Sequence, residues 1–267
     1  MASDQETMSE EAQNREVATG RARLTRRQAL GLAGGAGAAL ALGGGVAALL
    51  NRGHSNNSVA GAAKSCVELT PEQSEGPFYV DLRRVRRDVV EGSAGVPLRL
   101  RLRLIDPAAC VAIAGAAVDI WHCNAFGVYG DEASEGTGGE EFLRGTQITD
   151  GGGRAEFRTI YPGHYEGRAT HIHVKVHVGV RRSGDRFGGG HVAHTGQLFF
   201  PEPVSDRVFS RPPYSGDVSP RVPNSADAIF VEQGGARSTL RLEGSPAGGL
   251  TGTIALGVDP NATPPVQ

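Results

Sequence analysis

The chain has 267 residues, a formal net charge of −2 and 39% hydrophobic residues. That is enough for one sizeable domain plus extensions, and too apolar for a wholly disordered chain. The balanced charge gives no support to a nucleic-acid binder, which would carry a basic excess. Three cysteines, Cys66, Cys110 and Cys123, are too few for a disulfide scaffold.

Residues 1–20 are polar and mildly acidic, without apolar periodicity. Arg26-Arg27 then precedes an uncharged stretch, Ala29–Leu50, that is rich in Gly and Ala. Paired arginines before a weakly hydrophobic segment predict a twin-arginine export signal and an exported protein. A membrane anchor is the alternative, because 22 residues can span a bilayer. Residues 51–65 predict a linker, with small-residue cleavage options at Val59–Ala62. Lys64 and Ser65 before Cys66 make a poor lipoprotein signal.

From residue 66 onward the pattern predicts an all-β fold, a single β-sandwich over residues 66–258 with a tail at 259–267. Leu98–Ile105 alternates leucine with arginine, the signature of a half-buried strand. Further strands are expected at 116–121, 155–160, 171–178, 197–200, 238–242 and 250–256. Turn clusters at Asp106-Pro107, Asp150–Gly153, Ser183–Asp185 and Gly188–Gly190 separate them. No internal repeat is visible.

His171-Ile-His173 carries the first chemical signal. Side chains two apart on a strand share a face, so both imidazoles can reach one ion. His177 shares that face but lies about 13 Å further on by strand rise, too far for the same ion. Tyr165 follows a Pro162-Gly163 turn and would stand at a loop tip beside this strand. Tyr129 leaves another strand in Trp121–Tyr129.

Five segments in order resemble the intradiol ring-cleavage dioxygenases, non-haem ferric enzymes that open catechols between their two hydroxyls. They are Glu75-Gly-Pro-Phe-Tyr79, Asp119–Tyr129, Phe142–Asp150, Tyr161–His173 and His194–Phe200. The resemblance covers residues 66–258 and agrees with the donor chemistry. Two phenolates with two imidazoles suit Fe(III) better than Zn(II) or Cu(I). It implies that Tyr129, Tyr165, His171 and His173 ligate the iron, with Tyr129 and His173 equatorial and Tyr165 and His171 axial. It implies that the axial tyrosine leaves the iron as substrate binds and helps remove its second proton. Arg168 matches the arginine that supports the displaced phenolate, and Gln197 a hydrogen-bonding residue behind the ligands. Catechol and O₂ are then the substrates, and a cis,cis-muconate type of dicarboxylate the product.

Only five residues separate Tyr165 from His171, and no helical dimerisation segment precedes the β domain; both features suit an exported branch of that family. Two alternatives stay open. One is a non-catalytic exported sandwich that binds carbohydrate or a partner. Another is a Zn or Cu site using His191 and His194. His122, His164, His191 and His194 can otherwise be plain pocket or surface residues. Cys66 and Cys110 could form a disulfide after export, with Cys123 left free.

Overall fold

The computed structural model describes residues 66–265. The expected twin-arginine segment and the expected linker at 51–65 lie outside the described residues. Strands make up 36% and helices 13% of the structure, so the fold is β-rich.

The strands are β1 (Pro97–Asp106), β2 (Val111–Ala112), β3 (Ala117–Trp121), β4 (Arg144–Ile148), β5 (Arg154–Ile160), β6 (His171–Val178), β7 (Arg181–Ser183), β8 (Arg186–Gly188), β9 (His191–Phe199), β10 (Arg241–Ser245) and β11 (Gly249–Gly257). Two short helices are α1 (Glu202–Phe209) and α2 (Ala228–Glu232). One sheet runs β10-β11-β1-β2, with β5 also paired to β1. A second runs β4-β3-β6-β9, and β7-β8 form a separate hairpin. Among the strand pairs of the described residues, only β1–β11 is parallel.

Alternation in β1 decides its role. Leu98, Leu100, Leu102 and Leu104 are buried, while Arg99, Arg101 and Arg103 are exposed. The leucines join Phe157 of β5 and Leu250 of β11 in one apolar cluster. Val118 and Ile120 of β3, and Ile172, Val174 and Val176 of β6, enter the same cluster from the second sheet. Both sheets therefore turn their apolar sides to one core.

β6 is buried along its whole length. Its isoleucine and valines face that core, so His171, His173, Lys175 and His177 face the opposite side. That side is covered by the segment preceding β1. Lys175 pairs with Glu75, and Gln197 N–H donates to Gln73 Oε1 at 2.7 Å. Gly76, at φ +70°, packs against His173; a Cβ there would sit 3.4 Å from His173 Cε1.

Three expectations need correction. β9 begins at His191 instead of 197, because its first half carries small and polar residues that hide the period, and its pairing with β6 shifts at Val176/His177. Residues 235–238 form a 3₁₀ turn in which Ser238 Oγ donates to Gly235 O, so the strand expected at 238–242 starts at Arg241. α1 was not anticipated; it opens on Pro201 and buries only Ser205 and Val208.

Candidate active site

β6 and two loops build the site. Cross-strand register places Trp121 of β3 and Gln197 of β9 on either side of His173. The Trp121 indole stacks on the His173 ring, with centroids 4.7 Å apart and planes 7° apart. After β3 the chain wraps Asn124, whose Oδ1 accepts from Phe126 N and Val128 N at 2.9 and 3.2 Å. This turn delivers Tyr129 to the site. Gly127, at φ +83°, lets the turn meet the loop carrying Tyr165, since a Cβ would lie 2.3 Å from His164 O.

The donors converge. His171 Nε2 lies 3.0 Å from His173 Nε2 and 3.3 Å from Tyr165 Oη. Nδ1 of His171 bonds to Ala169 O at 2.6 Å. That bond requires the proton on Nδ1 and leaves the Nε2 lone pair facing the cluster. Tyr129 is buried, stacked on Phe78 at 4.3 Å, and its ring meets Tyr165 edge-on at 5.7 Å. Its hydroxyl makes no hydrogen bond of normal geometry, an unusual state for a buried phenol.

Arg168 closes one side. Its Nη1 donates to Tyr165 Oη at 3.3 Å, and its Nη2 donates to Gln197 Oε1. Its Nε donates to Asp227 Oδ2 at 2.9 Å. Gln197 Nε2 in turn donates to Ser74 O at 2.8 Å. All six residues expected at the site are thus brought together.

Electrostatics sharpen the picture. Burial, then the Arg168 charge, pushes His171 down to about 3. Burial and the neighbouring His171 hold His173 well below the usual imidazole range. Burial raises both phenols, Tyr129 strongly; Arg168 pulls Tyr165 back toward ionisation. Two neutral imidazoles and two phenols that resist ionisation share one buried point. A highly charged cation in contact with them would reverse the cost of both phenolates. Among the described residues no three His, Cys, Asp or Glu side chains converge on one point, so any metal centre here must enlist tyrosine. The unpartnered Tyr129 hydroxyl and the aimed His171 lone pair fit a hard trivalent ion such as Fe(III).

The remaining histidines among the described residues stay apart. His122 bonds Thr159 Oγ1 and Cys123 O, at 2.7 and 2.8 Å. His177 Nε2 lies 3.1 Å from Asp119 Oδ2, and His164 faces Asp217. His194 is paired with Glu72 while His191 is exposed, which gives no support to a centre built on those two. The cysteines are free thiols: Cys123 is buried, and Cys66 N–H donates to Cys110 Sγ at 3.1 Å.

Two supporting residues were missed from sequence. Asp227, fully buried, also accepts from Ala169 N at 2.7 Å. Arg144, also buried, donates to Gly130 O and Phe78 O at 2.6 Å each, tying the Tyr129 loop to the covering segment. Arg144 sits inside the Phe142–Asp150 motif, which was a usable signal; Asp227 had none.

Comparisons with known proteins give the family. A family model described as Dioxygenase matches residues 74–197. An intradiol ring-cleavage dioxygenase from Tetranychus urticae is 32% identical, with a TM-score of 0.68, over 74% of this chain and 98% of that one. The dioxygenase domain of a dioxygenase carbohydrate-binding protein fusion from Streptomyces sp. SirexAA-E is 29% identical, with a TM-score of 0.51, over 72% and 99%. No curated protein matches the chain. Family membership implies oxidoreductase activity. On these matches and this geometry, the chain belongs to the intradiol ring-cleavage dioxygenase family.

Proposed function

We propose that residues 66–258 form a single β-sandwich that binds one ferric ion through Tyr129, Tyr165, His171 and His173 and opens a catechol-type ring between its hydroxyls. The observation that carries this reading is the convergence of two phenols and two imidazoles from three separate segments on one buried point. Bound there, Fe(III) would supply Lewis acidity toward a chelated diol and O₂.

The two tyrosines are fitted for different tasks. Tyr129 is 2% exposed and clamped by Phe78, so it suits a permanent anchor. Tyr165 is half-buried and accepts from Arg168, which compensates its phenolate if it moves away. From that position its oxygen can take a hydroxyl proton from the substrate. Arg168, gripped by Asp227 and Gln197, holds a fixed cation where negative charge develops on the ring and then on the dicarboxylate product. Trp121 and Phe78 exclude water from the ligand side.

The test combines iron content with oxygen uptake on catechol, hydroxyquinol and protocatechuate. Wild type should carry one iron per chain, show a red-brown charge-transfer band and yield a muconate-type product. Either His→Ala variant should lose most of the iron. Arg168→Ala should keep it and lose about 10²–10³ in turnover. Iron-replete protein that opens none of the three diols would overturn the reading.

A further inference from the structure

The other side of the molecule carries a feature that ring cleavage does not use. The outward face of the β10-β11-β1-β5 sheet is an arginine field. Residues 87–89 extend it, because Arg158 N–H donates to Arg87 O and Val89 N–H to Arg158 O. Three transverse rungs follow from the register. Arg99 stands opposite Arg158, Arg101 opposite Glu156, and Arg103 opposite Arg154. On the next strand, Thr251 and Thr253 flank Arg99 and Arg101, and Arg241 flanks Thr253.

Two of these rungs set like charges directly against each other. Such pairs have Cβ atoms about 5 Å apart and destabilise a sheet. The nearby acids do not cancel them. Glu156 is shared among Arg87, Arg99 and Arg101. Asp88 pairs with Arg158 at 3.5 Å, and Glu243 with Arg241 at 3.2 Å. Among the described residues no carboxylate lies within ion-pair distance of Arg103 or Arg154; Asp150 shares the groove with them and is held below the usual carboxylate range by the backbone N–H groups of Arg154 and Gly152, then by the charges of Arg154 and Arg103. The guanidinium side chains of Arg87, Arg99, Arg101, Arg158 and Arg241 are 49–79% exposed. All this sits on a chain whose formal charge is −2.

The face is also shaped. A groove of about 960 Å³ crosses it, its charged lining five arginines, Arg87, Arg101, Arg103, Arg154 and Arg241, against two carboxylates, Asp150 and Glu156. A second groove of about 590 Å³ continues past Arg99 and Arg158. Thr239, Thr253 and Gln147 add neutral hydrogen-bonding groups to the first, and Thr251 to the second. Neither groove has an aromatic lining residue, so there is no platform for stacking nucleic-acid bases. Among the described residues the exposed large apolar side chains, Leu69, Val111, Phe126, Val218 and Val231, all lie outside the grooves, which leaves none there to insert into a lipid surface.

We propose that this face binds an extended polyuronate, a polysaccharide bearing a carboxylate on each sugar. Successive rungs along β1 are about 6.7 Å apart, so a chain lying across them meets repeated guanidinium forks. Each fork accepts a carboxylate in bidentate fashion. The threonine hydroxyls and the Gln147 amide suit the sugar hydroxyls between them. Because the arginines point away from the core and the ligand cluster lies behind the other sheet, binding leaves the ring-cleavage site open.

The test is affinity electrophoresis of the purified protein in native gels containing polygalacturonate, with neutral dextran as control. Wild type should be retarded by polygalacturonate and not by dextran, and added salt should weaken the retardation. Arg103→Gln/Arg154→Gln and Arg99→Gln/Arg158→Gln should each weaken retention about tenfold. Thermal melts of both double variants should match or exceed wild type, because each removes a like-charge opposition. That pairing of weaker binding with unimpaired stability separates a ligand surface from a structural one. Retention unchanged in both variants would overturn the proposal, as would no retention of wild type. Equal or tighter wild-type binding to duplex DNA or to phosphatidylglycerol vesicles would also overturn it, showing an unselective cationic face.

Discussion

Replacing Asp227 tests whether Arg168 is held or merely nearby. The carboxylate is fully buried and serves three donors. Oδ2 accepts from Arg168 Nε at 2.9 Å and Ala169 N at 2.7 Å, and Oδ1 from Phe230 N at 3.1 Å, capping α2. Removing one partner of a buried pair costs about 3–5 kcal/mol. The Arg168 side chain keeps 18% exposure, which favours the lower end; loss of the cap adds about 1 kcal/mol. Asp227→Ala should therefore destabilise by about 4 kcal/mol. Asp227→Asn keeps a single acceptor oxygen and turns an amide NH₂ toward the donors of the other, so it should destabilise as well. With only Gln197 and Tyr165 left to orient it, the guanidinium drifts, and misplacement on the scale of 1 Å costs about 10²-fold in turnover. Iron content should not change, because no ligand is touched. Urea unfolding gives the first quantity, oxygen uptake the second and iron per chain the third. An Asp227→Ala protein within 1 kcal/mol of wild type, or with full turnover, would refute the reasoning.

The metal-free protein should lose stability in mild acid. Burial holds His122 at about 4 and His171 at about 3, whereas unfolded imidazoles protonate near 6.5. The unfolded chain then binds more protons as pH falls below 6.5, so these two residues alone remove on the order of 4 kcal/mol between pH 7 and pH 5; melts that are flat across that window would contradict it. Cys66 and Cys110 are adjacent and exposed, so mild oxidation should join them and raise the melting temperature while buried Cys123 stays a thiol. A denaturing thiol titration should fall from three groups to one, and three titratable thiols after oxidation would exclude the pairing. We propose export through Arg26-Arg27, for which the double exchange to Lys should leave the protein in the cytoplasm; efficient export of that variant would point to another route.

How much of this was legible depends on the distance over which each signal acts. β1 and β6 were readable because a period of two is local. Leucine and arginine alternate in β1, and His171-Ile-His173 announces both a buried strand and a shared face. Tyr129 and Tyr165 were readable from family motifs, and Gly127 and the Pro162-Gly163 turn show why those loops can meet. The stack of Trp121 on His173 was not readable, because it depends on the register between β3 and β6, which neither segment encodes alone. Asp227 was hidden for the same reason at longer range. It lies 59 positions from Arg168, in a stretch with no strong period, and gains its meaning only when α2 docks beside the β6 end of the site. The tyrosine and histidine half of the candidate site thus rests on short, local patterns, while the half built around Arg168 rests on tertiary contacts. The arginine face shows both at once. Its alternation was plain in the sequence, but the opposition of Arg99 to Arg158 and of Arg103 to Arg154 exists only once β1 and β5 are in register. That opposition, more than the number of arginines, is what separates a surface that awaits an anionic partner from one that is merely solvated.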